Sequence, residues 1–279
     1  MTNTDRPAGD SHLLTAIDAA AVAAIGLAIC LASRRLWFMT ILVPLVVAAR
    51  CSLVALAAKR ERVNLAAEFV FLAICTLLGA FNDWNSVVHH RIYDYTVPHF
   101  FAWTTIPLWM LLYWGLILRF VARLARWRAL APPAAPVDVV RFGRRTIVSG
   151  MLKVALLLAL VALTRQAIYR WYLHPVLSWL PFAAALFVYG CLFPPDRHDR
   201  RLLGLFLVGG PATEILFIQL GGLHYYHLGR LGGVPLWIAL WWLLIVLIWK
   251  DLSLRVECLL LRLFQPRQRI AAPAKASTR

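Results

Sequence analysis

Apolar residues run along this chain in eight long blocks, separated by short stretches rich in charge, proline, glycine or histidine. A transmembrane helix needs roughly 20 mostly apolar residues to cross a ~30 Å hydrocarbon layer. Eight stretches meet or approach that length: Leu13 to Ser33, Leu36 to Ala58, Val63 to Phe81, Phe100 to Val121, Met151 to Tyr172, Val176 to Phe193, Leu202 to Gly221 and Val234 to Trp249. The expected fold class is therefore all-α, a polytopic membrane helical bundle of about eight transmembrane helices. The first block is read as a retained helix rather than a signal peptide, because Asp5, Asp10 and Asp18 replace a cationic leader and no small-residue cleavage site follows. From Asp251 to Phe264, arginines interrupt a leucine-rich pattern, which reads either as an interfacial amphipathic helix or as a continuation of the eighth span.

Composition supports the membrane reading. The chain is 61% hydrophobic and 15% charged, against roughly 45–50% and 25% for a soluble domain. Its five cysteines have neither metal-ligand nor disulfide-framework spacing. A formal net charge of +16 would suit nucleic acid, but the basic residues gather where apolar blocks end, so membrane orientation explains them and no nucleic-acid partner is expected. With the N-terminus inside, 23 of the 29 Lys and Arg fall on the inner side. Only Arg34, Arg35, Arg91, Arg165, Arg170 and Arg230 fall outside. The expected location is the cell inner (plasma) membrane, multi-pass, with both termini cytoplasmic.

The fourth and eighth blocks open alike, as Ile106-Pro-Leu-Trp109 with Leu112 and Trp114, and as Val234-Pro-Leu-Trp237 with Leu240 and Trp242. Two parallel four-helix repeats would produce this pattern; chance recurrence in a Leu- and Trp-rich chain would also produce it. The division expected on the first reading is 1–128 for one half, 129–142 for a proline-rich cytoplasmic linker, 143–250 for the second half and 251–279 for an interfacial helix and basic tail. Aligning Gly79 with Gly221 places the counterpart of Glu214 at Leu72, one turn from Glu68.

Six of the eight histidines collect in the outer loops, with Asp83 and Asp94 and many aromatic residues. Such loops can transfer protons, ligate metal or bind a polar head group; an interfacial aromatic belt is the structural alternative. Within the spans an ionisable group costs ~2.5–3.5 kcal/mol or more unless paired or wetted. Glu68 lies ~9 Å deep from the inner side, within reach of Arg50 for a structural pair. Glu214, ~10 Å below the outer surface, follows Gly209-Gly-Pro211, which can break a helix. It either opens a polar pocket or pairs with Arg165. The candidate catalytic residues are Glu214, Glu68, His89, His90, Asp94, His224 and His227. Candidate substrate-binding residues are Asp83, Tyr93, Arg165, Gln219, Tyr225, Tyr226 and Arg230. His224 and His227 would share one helical face, but no metal motif accompanies them, and neither a metal nor a cofactor is assigned.

Glu68, Glu214 and the Gly221-to-Tyr226 segment give an architecture that resembles the integral-membrane terpene cyclases and the membrane carotenoid hydratases and cyclases. The resemblance implies acid–base chemistry on an isoprenoid or other lipid within membrane lipids. No contiguous family motif matches, and no catalytic role is carried over. Two other functions fit the same residues: a non-catalytic assembly or anchoring component, and a proton-coupled transporter built around Glu214 and the Gly-Gly-Pro sequence.

Overall fold

The structure is a computed structural model that describes residues 11–130 and 137–264. Each of the eight apolar blocks contains one helix: α1 (His12–Ala32), α2 (Leu36–Glu61), α3 (Leu65–Asp83), α4 (Leu108–Leu124), α5 (Gly150–Trp171), α6 (Leu180–Leu192), α7 (Arg197–Gln219) and α8 (Leu236–Phe264). The four odd-numbered helices each start on a polar N-cap whose side chain accepts a backbone N–H: Ser11, Asn64, Ser149 and Asp196. Asp196 and Asp199 complete a reciprocal capping box. Helices α2, α4 and α6 have no such cap.

Six helices, all but α4 and α6, are long and apolar enough to cross a membrane. Large apolar side chains stand exposed along the bundle, among them Leu56 at 82%, Leu31 at 75% and Phe187, on α6, at 72%. A membrane protein presents such a surface to lipid; a water-soluble monomer does not. The fourth block becomes helical only at Leu108, after Pro107, leaving 17 residues. In the sixth block, turns occupy residues 172–179 and shorten α6 to 13 residues, or ~20 Å.

Two short ribbons accompany the helices of the bundle. Strand β1 (Tyr93–Tyr95) pairs antiparallel with β4 (His224–Tyr226), and β2 (Val139–Phe142) pairs with β3 (Arg145–Val148). The second half of the expected linker, 137–142, is therefore largely strand; 131–136 lies outside the described residues. Asp251–Phe264 continues α8 rather than forming a separate interfacial helix, and the basic tail 265–279 is outside the described residues, as is the N-terminal Asp5–Asp10 region. Helix α7 runs unbroken through Gly209, Gly210 and Pro211. The irregular turn lies instead in the first half, where α3 passes into a π-helical segment at Trp84–His89.

Packing repeats between the halves. Helix α1 packs on α2 and α4, α2 on α4, and α3 on α4; α5 packs on α6 and α8, α6 on α8, and α7 on α8. Gly79 of α3 lies against Trp114 of α4, and Gly210 of α7 lies against Trp242 of α8; in both places an added Cβ would overlap the tryptophan. Glycine permits these close approaches because it has no side chain.

At the end of the bundle away from β1 and β4, Asp18, Arg50, Glu68, Arg119, Arg123, Arg126 and Glu257 form a buried ionic network. Asp18 takes Arg50 Nε at 2.7 Å and Arg123 Nε at 2.6 Å. Glu68 takes Arg119 Nη2 at 2.6 Å, Arg123 Nη2 at 3.1 Å and a further bond from Arg50. Glu257 of α8 bridges Arg119 and Arg126, tying the second half to the first.

Candidate functional site

The π-helical turn and the residues after it carry the chain out of α3 and into β1, and the loop after α7 carries it into β4. The two strands meet with Tyr93 opposite Tyr226, Asp94 opposite Tyr225, and Tyr95 opposite His224. Side chains alternate between the faces of a strand. Tyr93, Tyr95, His224 and Tyr226 are therefore buried against the bundle, while Asp94 and Tyr225 face away from it.

The inward face of each strand meets one carboxylate on the preceding helix. Asp83, at the end of α3, accepts from Tyr93 Oη at 2.7 Å, Tyr95 Oη at 2.6 Å and Trp114 Nε1 at 2.9 Å. Glu214, in α7, faces His224 Nε2 at 3.1 Å and Tyr226 Oη at 3.4 Å, both from its Oε2. Each carboxylate precedes its two strand partners by ten and twelve residues. Asp83 is the geometric counterpart of Glu214, and Gly79 of Gly210. The expected counterpart at Leu72 is thus incorrect: Leu72 is a buried apolar residue of α3, and matching Gly79 to Gly221 aligned a helix interior with a helix end.

The two carboxylates differ in how fully they are bonded. Asp83 is completely buried and has three donors on its two oxygens. Glu214 has one long bond from Tyr226 and a histidine within ion-pair reach but off the line of a hydrogen bond. Among the described residues no donor reaches its Oε1. Trp242 Nε1, the counterpart of the indole that donates to Asp83, is buried without an acceptor. Burial first, and the neighbouring Asp83 second, push the Tyr93 and Tyr95 phenols well above the usual range. Burial and Glu214 do the same to Tyr226. All three remain neutral donors at physiological pH.

Two elongated cavities of about 400 Å³ and 410 Å³ flank this group, one between α4 and α7, the other between α3, α5 and α8. Tyr93, Trp114, Glu214, Tyr226 and Trp242 line both. Away from these polar tips the walls are chiefly apolar, and the volumes lie within the ~300–1,000 Å³ of ligand pockets. In the second cavity the Arg165 guanidinium lies 4.2 Å over the Trp241 ring. Among the described residues it makes no pair with Glu214, whose nearest ion-pair candidate is His224.

The expected site residues thus separate. Glu214, His224, Tyr226, Tyr93 and Arg165 line the cavities, and Asp83 holds Tyr93 from behind. Glu68 does not: it is neutralised by three arginines at the opposite end of the bundle. Asp94, Tyr225 and His227 form an exposed group on the outward face of the strands, with Tyr225 Oη donating to Asp94 at 3.1 Å and His227 Nε2 lying 3.7 Å from Asp94. His224 and His227 point to opposite faces because the segment is strand and turn, not helix. His89 is exposed beside His90, which stacks on Tyr169 at 3.7 Å. Gln219 donates to Gly232 O at 3.0 Å and so pins a loop; Arg230 is exposed. Among the described residues no group of three or more His, Cys, Asp and Glu is placed to hold a metal ion. The candidates missing from the sequence reading are Tyr95, Trp114 and Trp242; the repeated ten- and twelve-residue spacing marks the first. No family model, curated protein or solved structure matches the chain.

Proposed function

We propose that this is an eight-span inner-membrane enzyme, both termini cytoplasmic, in which Glu214 acts as an acid on an isoprenoid or other lipid held in the paired cavities. The observation that carries the reading is the contrast between two equivalent carboxylates. Asp83 is saturated with donors and serves as a strut. Glu214 stands at the junction of two apolar cavities with an oxygen free among the described residues. A carboxylic acid so placed can protonate an alkene, an epoxide or a leaving oxygen. His224 and Tyr226 would then stabilise the carboxylate left behind, and the faces of Tyr93, Tyr226 and Trp242 would stabilise a developing carbocation. The chiefly apolar walls would limit the water that could quench it.

The transporter reading loses support because α7 is continuous where a broken helix was required. An anchoring role would use neither the cavities nor Glu214. The test is Glu214→Gln, which keeps the volume of the side chain and one acceptor oxygen but has no acidic proton. Turnover of a lipid pool extracted from the producing membrane should fall by at least 100-fold, with unfolding temperature unchanged. Full activity in this variant would remove Glu214 from the mechanism.

A further inference from the structure

The α3–α5–α8 cavity has a cation, Arg165, that no carboxylate pairs with among the described residues. Arg165 points toward it from α5, six residues before the end of that helix at Trp171. Lone arginines within a membrane span are costly, and the deeply buried helix arginines Arg50, Arg119 and Arg123 show the usual solution: each contacts a carboxylate. Arg165 instead stacks on Trp241. The guanidinium over the Trp241 ring makes no side-chain hydrogen bond among the described residues, which leaves its N–H groups available to receive a phosphate or carboxylate through two parallel hydrogen bonds.

Below Arg165 the cavity continues between α3 and α8 past Ile245, Ile248 and Leu252 toward the other end of the bundle. The polar feature is thus at one end and a long apolar slot at the other. Taking the acid–base reading of Glu214 as given, we infer that Arg165 binds the anionic head group, phosphate or carboxylate, of a long-chain amphiphilic substrate whose tail lies in this slot. The same cavity contains Glu214.

The test uses the full chain in phosphatidylcholine nanodiscs and two photoreactive probes, hexadecyl phosphate and hexadecanol, each with a diazirine in the tail. The phosphate probe should label wild type at least tenfold more than the alcohol. Arg165→Gln should lose that excess, and Arg165→Lys should keep part of it. Palmitate and unlabelled hexadecyl phosphate should compete, and inorganic phosphate at the same concentration should not. Equal labelling of Arg165→Gln and wild type would overturn the assignment. Competition by inorganic phosphate as effective as that of hexadecyl phosphate would make this a site for a free anion, which also overturns it. Arg165→Gln removes an unpaired charge, so its unfolding temperature should equal or exceed that of wild type; a large fall would show a structural role and count against the proposal. Glu214→Gln should still label fully. Loss of labelling in Arg165→Gln with turnover retained in Glu214→Gln would keep this inference and reject the acid role.

Discussion

Asp83 and Glu214 illustrate how the same position in two halves acquires different work through one methylene and one indole. Asp83 is short enough to sit within reach of Tyr93, Tyr95 and Trp114 together. Removing it leaves three buried donors without an acceptor, each costing on the order of 1–3 kcal/mol. Asp83→Ala should therefore lower stability by about 3 kcal/mol or more, while Asp83→Asn, which retains one acceptor oxygen, should lose roughly half as much. Thermal unfolding in detergent checks both, and an Asp83→Ala protein as stable as wild type would refute the strut. Glu214→Gln should show no comparable loss, because few bonds depend on it. At this scale the sequence was partly legible: a carboxylate in an apolar block is conspicuous, and Glu214 and Glu68 were both singled out. What it could not show is that Arg119 and Arg123, fifty-one and fifty-five residues beyond Glu68, fold back to neutralise it, whereas Arg165 stays out of ion-pair range of Glu214.

The helices were legible as elements because burial in an apolar medium forces backbone polar groups to bond within the segment, so hydropathy and length locate all eight. The strands were not. Tyr93–Tyr95 and His224–Tyr226 are three residues each, too short for an alternating pattern to stand out, and each becomes a strand only because the other lies beside it. Their pairing is checked by a double substitution, Asp94→Cys with Tyr225→Cys. These residues lie directly opposite on the outward face, where side chains of an antiparallel pair have Cβ atoms ~4.5–5.5 Å apart, a separation a disulfide can close with a small backbone adjustment. The bond should form spontaneously in cells if this face lies outside the cytoplasm, where thiols oxidise, as detected by a mobility shift on reduction. Free thiols in an otherwise folded protein would contradict either the register or the orientation.

On the scale of the whole molecule, the two halves have corresponding contacts, corresponding glycine–tryptophan approaches and corresponding carboxylate–strand spacings. These correspondences are what a duplication of the kind proposed from the sequence would produce. The pairing of β1 with β4 has the same symmetry: exchanging the halves maps the Tyr93–Tyr226 pair onto His224–Tyr95. Each half alone would expose its strand edge and one wall of both cavities, and Glu257 would lose Arg119 and Arg126. The halves should therefore recognise one another without a covalent link. Cutting the gene between Pro133 and Ala134 and co-expressing the two products should yield a complex that copurifies through a tag on one of them. Glu257→Gln should weaken it, since buried Arg126 then loses its carboxylate while Arg119 keeps Glu68. If the separated halves fail to associate while the intact chain folds, the linker holds the bundle together and the symmetric interface does not.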